Sequence, residues 1–153
     1  TLLYNDITYI ISMNLNLGNN SIVDSLKRGG MTNKIDIETG TSLHPFCDRG
    51  LNNYYFHPIT KEKINNIKLP YINEIKLLVK ELSNKIKSVK YVSWDIAITN
   101  DGPILLGASP LPNIYQFFIH NEDNKGILPL INEILNKESS VDSISCPSQI
   151  KLQ

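Results

Sequence analysis

The stretch Tyr91–Pro110, YVSWDIAITNDGPILLGASP, decides the fold of this chain. In its first half, Trp94, Ile96 and Ile98 alternate with small or polar residues, which is the period of a strand with one buried face. Asn100-Asp101-Gly102 is typical of a tight turn, because glycine adopts positive φ without a steric penalty. Apolar and small residues alternate again after the turn, so the stretch predicts a β-hairpin.

The register of this hairpin follows from the pairing of its apolar residues. A three-residue turn would form three such pairs: Ile98 with Ile104, Ile96 with Leu106, and Trp94 with Ala108. We predict this turn rather than a two-residue one, because a slip of one residue mixes the two faces of a sheet. Asp95 then lies opposite Gly107 and Ser93 opposite Ser109, which leaves one carboxylate beside two uncharged positions.

Composition excludes several classes of function. The chain has 153 residues, with 15 Lys and Arg against 15 Asp and Glu, so its formal net charge is zero. It therefore lacks the basic surface expected for binding nucleic acid or a membrane, and its apolar runs are too short to span a membrane. Cys47 and Cys146 are too few and too far apart for a disulfide scaffold, which favours two reduced thiols in a cytoplasmic protein. The length fits one domain with a real core, and because the chain begins without Met we expect the true N-terminus to be missing.

Short strands are predicted in the first half of the chain. Apolar alternation indicates them at Thr1–Tyr4, at Ile7–Asn14, around Ile35 and Ile37, and at the edge segment Tyr54–Pro58, which its proline ends. Residues 42–53 have no clear period, and we expect them to run over the surface.

Helices follow, and together with the strands they predict an α+β fold. The clearest helix opens at Leu69-Pro70 and carries an apolar stripe from Ile72 to Ile86. A short helix is expected at Ile114–His120 and another at Ile127–Lys137. In the last helix the residues expected to face inward are Ile127, Leu130, Ile131, Ile134 and Leu135. Residues 1–137 are thus the folded part, and Glu138–Gln153 is predicted to be a loose polar tail.

Two features are candidates for binding a nucleotide. Lys27-Arg28-Gly29-Gly30 is a basic glycine loop, in which backbone N–H groups and cations can approach a phosphate. An ordinary turn with solvated charges is the alternative. Asp95 is unusual in a central strand, and a Mg²⁺ ion that bridges phosphates would explain it, although an Asp on a solvated face remains the alternative.

Histidine supplies a third, weaker candidate. His57-Pro58, His44 and His120 could serve in acid–base chemistry or as metal ligands. Because the three lack the spacing of a ligand set, surface or loop positions are the favoured interpretation.

Several segments, in this order, resemble the sugar-transfer associated branch of the ATP-grasp proteins, which is similar to the α-L-glutamate ligases. The resemblance extends from the first residue to about Phe118. Its segments are Leu15-Asn16-Leu17-Gly18, Val23-Asp24-Ser25 with Gly29-Gly30, Ile35–Gly40, His57-Pro58, Leu69-Pro70, Trp94–Thr99 and Asp101-Gly102-Pro103.

The resemblance implies a fold and an activity. ATP-grasp enzymes hold ATP and Mg²⁺ between two α+β subdomains and activate a carboxylate as an acylphosphate, which an amine or thiol then attacks. Residues 1–137 correspond to the C-terminal subdomain, a mostly antiparallel sheet with a long helix packed on it. The N-terminal subdomain, with its adenine-binding segment, is absent from this sequence and is an expected partner. The branch further implies a small-molecule or sugar-linked substrate in cell-surface polysaccharide or sugar-transfer pathways.

The resemblance also assigns roles to particular residues. Asp95 falls at the first metal-ligand position of the family. Ser25, Lys27, Arg28, Gly29 and Gly30 fall where related ligases direct polar groups towards the triphosphate.

The chain departs from the family pattern at the metal site. The family has a Glu-Gly-Asn run where this chain has Gly107, Ala108 and Ser109, so two metal ligands are substituted. Ser25 also replaces a common Asn, and Asn16 a common Arg. Because Mg²⁺ needs several oxygen ligands, we expect weak or absent catalysis.

Three hypotheses therefore stand. The chain is part of an ATP-grasp ligase in which Gly107 and Ser109 line the site, a non-catalytic relative that serves as a binding or scaffold module, or an unrelated α+β binding domain.

Overall fold

The structure is a computed structural model that describes residues 1–19, 25–110 and 126–136. Its strands are β1 Leu2–Tyr4, β2 Ile7–Tyr9, β3 Asn14–Leu17, β4 Met31–Lys34, β5 Phe46–Cys47, β6 Asn53–Tyr54, β7 Ser93–Thr99 and β8 Gly102–Ser109. Its helices are a 3₁₀ turn at Leu26–Arg28, α1 at Ile72–Lys85 and α2 at Leu128–Asn136. The predicted α+β class is confirmed. The predicted helix at Ile114–His120, the tail at Glu138–Gln153 and residues Lys137 and Cys146 lie outside the described residues.

Within the described residues, all strand pairs are antiparallel and fall into three groups. β1 pairs with β2, β7 pairs with β8, and a four-stranded sheet has the order β3-β4-β5-β6. β1 also joins the chain that leads into β7, because Leu2 bridges Tyr91 and the Leu3 N–H donates to the Lys90 carbonyl at 2.7 Å. The predicted strand at Ile7–Asn14 is shorter than expected, and Ile35 forms only an isolated bridge with Ser42, beyond the end of β4.

The hydrophobic core lies on one face of the four-stranded sheet. Met31, Phe46 and Ile64 form its buried centre, and Leu15, Leu17, Tyr54 and Ile67 pack against them. The expectation that residues 42–53 run over the surface holds for residues 49–53, which are exposed, but is wrong for Phe46 and Cys47, which form β5 and are only 0% and 3% exposed. A strand of two residues is too short to show an alternating pattern, so periodicity could not reveal it.

Helix α1 packs its apolar stripe against β2 and β8. Ile75 and Val79 are buried as predicted, whereas Ile86 lies just beyond the helix and is 38% exposed. In α2 only Ile134 is buried. The predicted inward positions of Leu130 and Leu135 are wrong, since these side chains are 39% and 38% exposed.

Two contacts fix the β7–β8 hairpin to α1. The Trp94 Nε1–H donates to Thr1 Oγ1 at 2.9 Å, and Thr1 Oγ1 lies 2.9 Å from Oγ of Ser83, which is buried in α1. At the other end, the Tyr71 hydroxyl donates to the Asn100 carbonyl at 2.8 Å. Helix and hairpin are therefore held together at both ends of α1.

Ile75 and Leu77 provide a test of the orientation of α1. Ile75 is 6% exposed and Leu77 is 61% exposed on the same helix. We expect Ile75→Ala to lower the free energy of unfolding by about 2–5 kcal/mol, since it removes buried methylenes and leaves a cavity. Leu77→Ala, the matched control, should change it by less than about 0.5 kcal/mol. Urea unfolding of both variants measures the difference, and equal losses would mean that the helix is rotated.

Asp48 organises the turn between β5 and β6. Its carboxylate accepts the Asn52 N–H and the Tyr54 hydroxyl, each at 2.9 Å. Burial alone would raise the pKa of Asp48, but the hydrogen bonds from Asn52 and Tyr54 outweigh it and hold the pKa below its ordinary value of 3.8. The stabilisation is therefore fully present above that ordinary value and is lost as the pH falls through the lowered pKa of the folded state.

The lowered pKa of Asp48 leads to a prediction for the pH dependence of stability. Asp48→Asn should lower the melting temperature at neutral pH, because it removes the charged acceptor of the turn. The gap between wild type and variant should narrow as the pH falls below about 3.8, where the carboxyl group protonates. Thermal melts across an acid pH series measure the gap. A gap that stays constant down to full protonation would show that the charge of Asp48 does not stabilise the turn.

Candidate nucleotide and metal site

The β7–β8 hairpin turns through two residues, not three. Thr99 pairs with Gly102, and Asn100 and Asp101 form the turn. Gly102 has φ +117°, a backbone conformation that residues other than glycine rarely adopt. The predicted pairs of Ile98 with Ile104 and of Ile96 with Leu106 are therefore wrong. Their actual partners are Pro103 for Ile98 and Leu105 for Ile96.

A β-bulge restores the predicted register beyond Ile96. The pairing shifts between Asp95 and Ile96, which leaves Leu106 as the extra residue of β8. If the pairing near the turn continued without this shift, Leu106 would lie opposite Asp95. With the shift, Gly107 lies opposite Asp95, as predicted, and the predicted pairs of Trp94 with Ala108 and Ser93 with Ser109 also form. The bulge thus determines which residue of β8 faces the carboxylate.

Asp95 directs its carboxylate towards the strand that carries Gly107. A Cβ atom added at Gly107 would lie 3.8 Å from Oδ2 of Asp95, which is ordinary van der Waals contact. Asp95 is exposed, and within the described ranges its carboxylate has no hydrogen-bond or ion-pair partner. It can therefore accept a cation from solvent without breaking a contact in this part of the protein.

The basic loop is a capped 3₁₀ turn whose backbone donors are already used. The Ser25 carbonyl accepts the N–H groups of Arg28 and Gly30 at 2.9 and 3.0 Å. The Lys27 N–H donates to Ser25 Oγ at 3.3 Å, and the Gly29 N–H donates to the Leu26 carbonyl at 3.4 Å. Gly29 has φ +87°, which closes the turn. These N–H groups are therefore not available to cradle a phosphate in this conformation.

The side chains of the turn are its remaining means of binding an anion. Lys27 and Arg28 are both exposed, and neither has a carboxylate partner among the described residues. The turn belongs to the four-stranded sheet and Asp95 to the hairpin. No hydrogen bond or ion pair joins these two half-sites in the part of the chain that is described.

Both ring nitrogens of His57 are engaged in hydrogen bonds to the backbone, which indicates a structural role rather than acid–base chemistry or metal binding. Its Nδ1 accepts the N–H groups of Ile59 and Thr60 at 3.3 and 3.2 Å, so Nδ1 carries no proton. Its Nε2 lies 2.8 Å from the Gly18 carbonyl and must be the donor in that bond. His44 is held through its backbone, since its N–H donates to Asn33 Oδ1 at 3.3 Å, and His120 lies outside the described residues.

Comparison with known proteins identifies the family. The model for sugar-transfer associated ATP-grasp proteins matches residues 1–135. The chain belongs to the sugar-transfer associated ATP-grasp family. Neither a curated protein nor a solved structure matches it at a significant level.

Membership places the chain in a ligase-like class whose members typically use ATP and Mg²⁺. None of the helices in the described ranges is both long and apolar enough to cross a membrane.

The ATP-grasp chain fits these two cofactors unequally. Mg²⁺ prefers six oxygen ligands in near-octahedral geometry, and protein sites usually supply one or two carboxylates while phosphates and water supply the rest. Among residues 1–19, 25–110 and 126–136, no three His, Cys, Asp or Glu side chains lie close enough together to hold a metal ion. Asp95 alone is a poor magnesium site, whereas the exposed charges of Lys27 and Arg28 suit the anionic phosphates of ATP.

Proposed function

We propose that this chain is the C-terminal, phosphate-binding subdomain of an ATP-grasp ligase-like protein whose magnesium site is depleted. The observation that carries the proposal is the carboxylate of Asp95, which faces Gly107, a residue without a side chain. Residues 1–137 form the subdomain, and an N-terminal ATP-grasp subdomain supplies the contacts to adenine. The family resemblance supports this division of the chain.

The chemistry of phosphoryl transfer explains why one carboxylate is insufficient. Activation of a carboxylate by ATP builds up negative charge on the transferred phosphoryl group, and metal ions bridging the phosphates neutralise much of that charge. Asp95 would hold such an ion by a single contact, since Gly107 and Ser109 bring no carboxylate to the neighbouring positions. The ion would then depend almost wholly on the nucleotide for its ligands, and ligation would be slow or absent.

Phosphate binding depends less on the metal. Lys27 and Arg28 bind the triphosphate through their charges, and Ser25, Gly29 and Gly30 shape the turn that presents them. The affinity should be modest and sensitive to salt, because both cations are exposed.

The family also suggests a substrate. Its description as sugar-transfer associated supports a small-molecule or sugar-linked acceptor in the synthesis of cell-surface polysaccharide, handled in the cytoplasm.

A non-catalytic binding or scaffold module is the second candidate. It is favoured by the lack of a three-ligand metal group within the described ranges and by the internal use of the N–H groups in the Ser25–Gly30 turn. Calorimetry of the full-length protein separates the two: heat of binding for Mg-ATP supports the ligase-like function. The absence of both binding heat and a thermal shift would leave only the scaffold.

Replacing the two uncharged positions of β8 tests the depleted site. The double variant Gly107→Glu, Ser109→Asn should gain Mg²⁺ binding, because the introduced glutamate would place a second carboxylate beside Asp95. At ten times the Kd, bound Mg²⁺ would stabilise the fold by about 1.4 kcal/mol, or about 3–6 °C in melting temperature. Thermal melts with and without millimolar Mg²⁺ measure the gain, and the wild-type protein should respond far less.

Matched controls identify the cause of any gain. Gly107→Gln, Ser109→Asn has nearly the same shape without the second charge and should not respond to Mg²⁺. Adding Asp95→Asn to the variant with the introduced glutamate should abolish its response. If the glutamate and glutamine variants respond equally, or the glutamate variant does not respond at all, the assignment of Asp95 and position 107 to one metal site fails.

The phosphate-binding role predicts a second set of effects. Lys27→Ala and Arg28→Ala should each weaken binding of metal-free ATP about two- to fivefold, in keeping with the ~0.5–1 kcal/mol of an exposed ion pair. Lys80→Ala removes an exposed lysine from α1 and should have no effect. Titration calorimetry at two salt concentrations measures the affinities. Equal ATP affinities for all three variants would show that the turn does not bind the phosphates.

A further inference from the structure

His57 links two segments that are far apart in the sequence. Its Nε2–H donates to the carbonyl of Gly18 at 2.8 Å, across 39 residues. Both residues are half-buried, so the bond is partly shielded from water. The segment that carries His57 follows β6 and folds back over the sheet, since Ile64 packs with Met31 and Phe46 in the core.

The contacts of the His57 ring select one of its two neutral tautomers. The N–H groups of Ile59 and Thr60 both point at Nδ1, at 3.3 and 3.2 Å, and a proton on Nδ1 would oppose both donors. The neutral ring with hydrogen on Nε2 satisfies all three contacts. The turn after His57 thus orients the ring, and the ring holds Gly18.

Gly18 lies at the end of the β3–β4 ladder from which the basic turn emerges. Leu17 and Met31 form the last pair of this ladder, and Gly18 and Gly30 are the residues directly beyond that pair in the two chain segments. Gly30 is buried and donates its N–H to the Ser25 carbonyl, which ties this end directly to the turn of Lys27 and Arg28. The hydrogen bond to the Gly18 carbonyl therefore restrains the end of the β3–β4 ladder from which the turn with Lys27 and Arg28 extends.

We propose that His57 is a positioning residue for phosphate binding, acting through its hydrogen bond to Gly18. This inference rests on the proposed function of the Ser25–Gly30 turn. His57 does not touch the phosphate. His57 holds the end of β3, and the position of this strand end determines where Lys27 and Arg28 contact the phosphate.

Two variants separate the contact with Gly18 from the local turn after His57. In His57→Asn, the short side chain can still accept the N–H groups of residues 59 and 60, as Asx turns do, but cannot reach Gly18. In His57→Gln, the longer side chain places an amide N–H near the position of Nε2 and can reach Gly18, but loses the favoured turn geometry. The pair therefore removes one contact at a time.

The readouts are ATP affinity and backbone hydrogen exchange in the full-length protein. His57→Asn should weaken binding of metal-free ATP about two- to fivefold, the effect expected when one of the two cations no longer meets the phosphate. Exchange at Gly29 and Gly30 should accelerate by a similar factor, whereas exchange in α1 should not change. His57→Gln should retain most of the wild-type affinity and protection. Nitrogen NMR of the wild-type imidazole should show the tautomer with hydrogen on Nε2 rather than on Nδ1.

Other outcomes would overturn the proposal. Wild-type affinity in His57→Asn, or an equal loss in both variants, would show that the bond to Gly18 does not position the turn. If the wild-type protein itself does not bind ATP, the proposed function fails. The exchange rates of Gly29 and Gly30 then decide on their own whether His57 fixes this end of the ladder, and unchanged rates in His57→Asn would reject it.

Discussion

The pairing of β7 with β8 is the constraint on which the candidate metal site depends. A two-residue turn and one inserted residue, Leu106, together determine that Gly107 faces Asp95. Strand pairing has a period of two, so a shift of one residue moves a side chain to the other face of the sheet. Without the insertion, Leu106 would lie opposite Asp95 instead of Gly107. The local irregularity thus creates the geometry of the site, as β-bulges near functional residues often do.

The sequence correctly predicted that Gly107 lies opposite Asp95, but from an incorrect turn length. It assigned three residues to the turn and none to a bulge, whereas the hairpin uses two and inserts one. The two errors compensate, so the pairs beyond Ile96 agree with the prediction while those near the turn do not. The signal for the bulge was present, because Ile104, Leu105 and Leu106 are three consecutive apolar residues that interrupt the alternation. Alternation alone cannot say which of them is the inserted residue.

Elements built from longer patterns were easier to predict than contacts between distant segments. The apolar stripe of α1 identified Ile75 and Val79 as core, because periodicity over several turns is a strong signal. The two residues of β5 are too short to give one. The hydrogen bond from His57 to Gly18 could not be predicted either, since Gly18 is remote in sequence and the bond uses only a backbone carbonyl. A histidine followed by a tight turn gives no indication of which carbonyl its ring reaches.

The two faces of the hairpin bear different structural constraints, so the proposed loss of metal ligands need not disturb the fold. Trp94 is bonded to Thr1, which in turn contacts the buried Ser83, so changes there disturb packing between the hairpin and α1. Asp95 and Gly107 share the other face, where Asp95 is exposed and a Cβ at position 107 would meet only ordinary contact. A Cβ at that position therefore fits the fold without a clash, while a side chain there would lie beside the proposed metal ligand Asp95. A family match over residues 1–135 is accordingly compatible with the proposed depletion of the magnesium site, because the residues that maintain the fold are not those proposed to hold the ion.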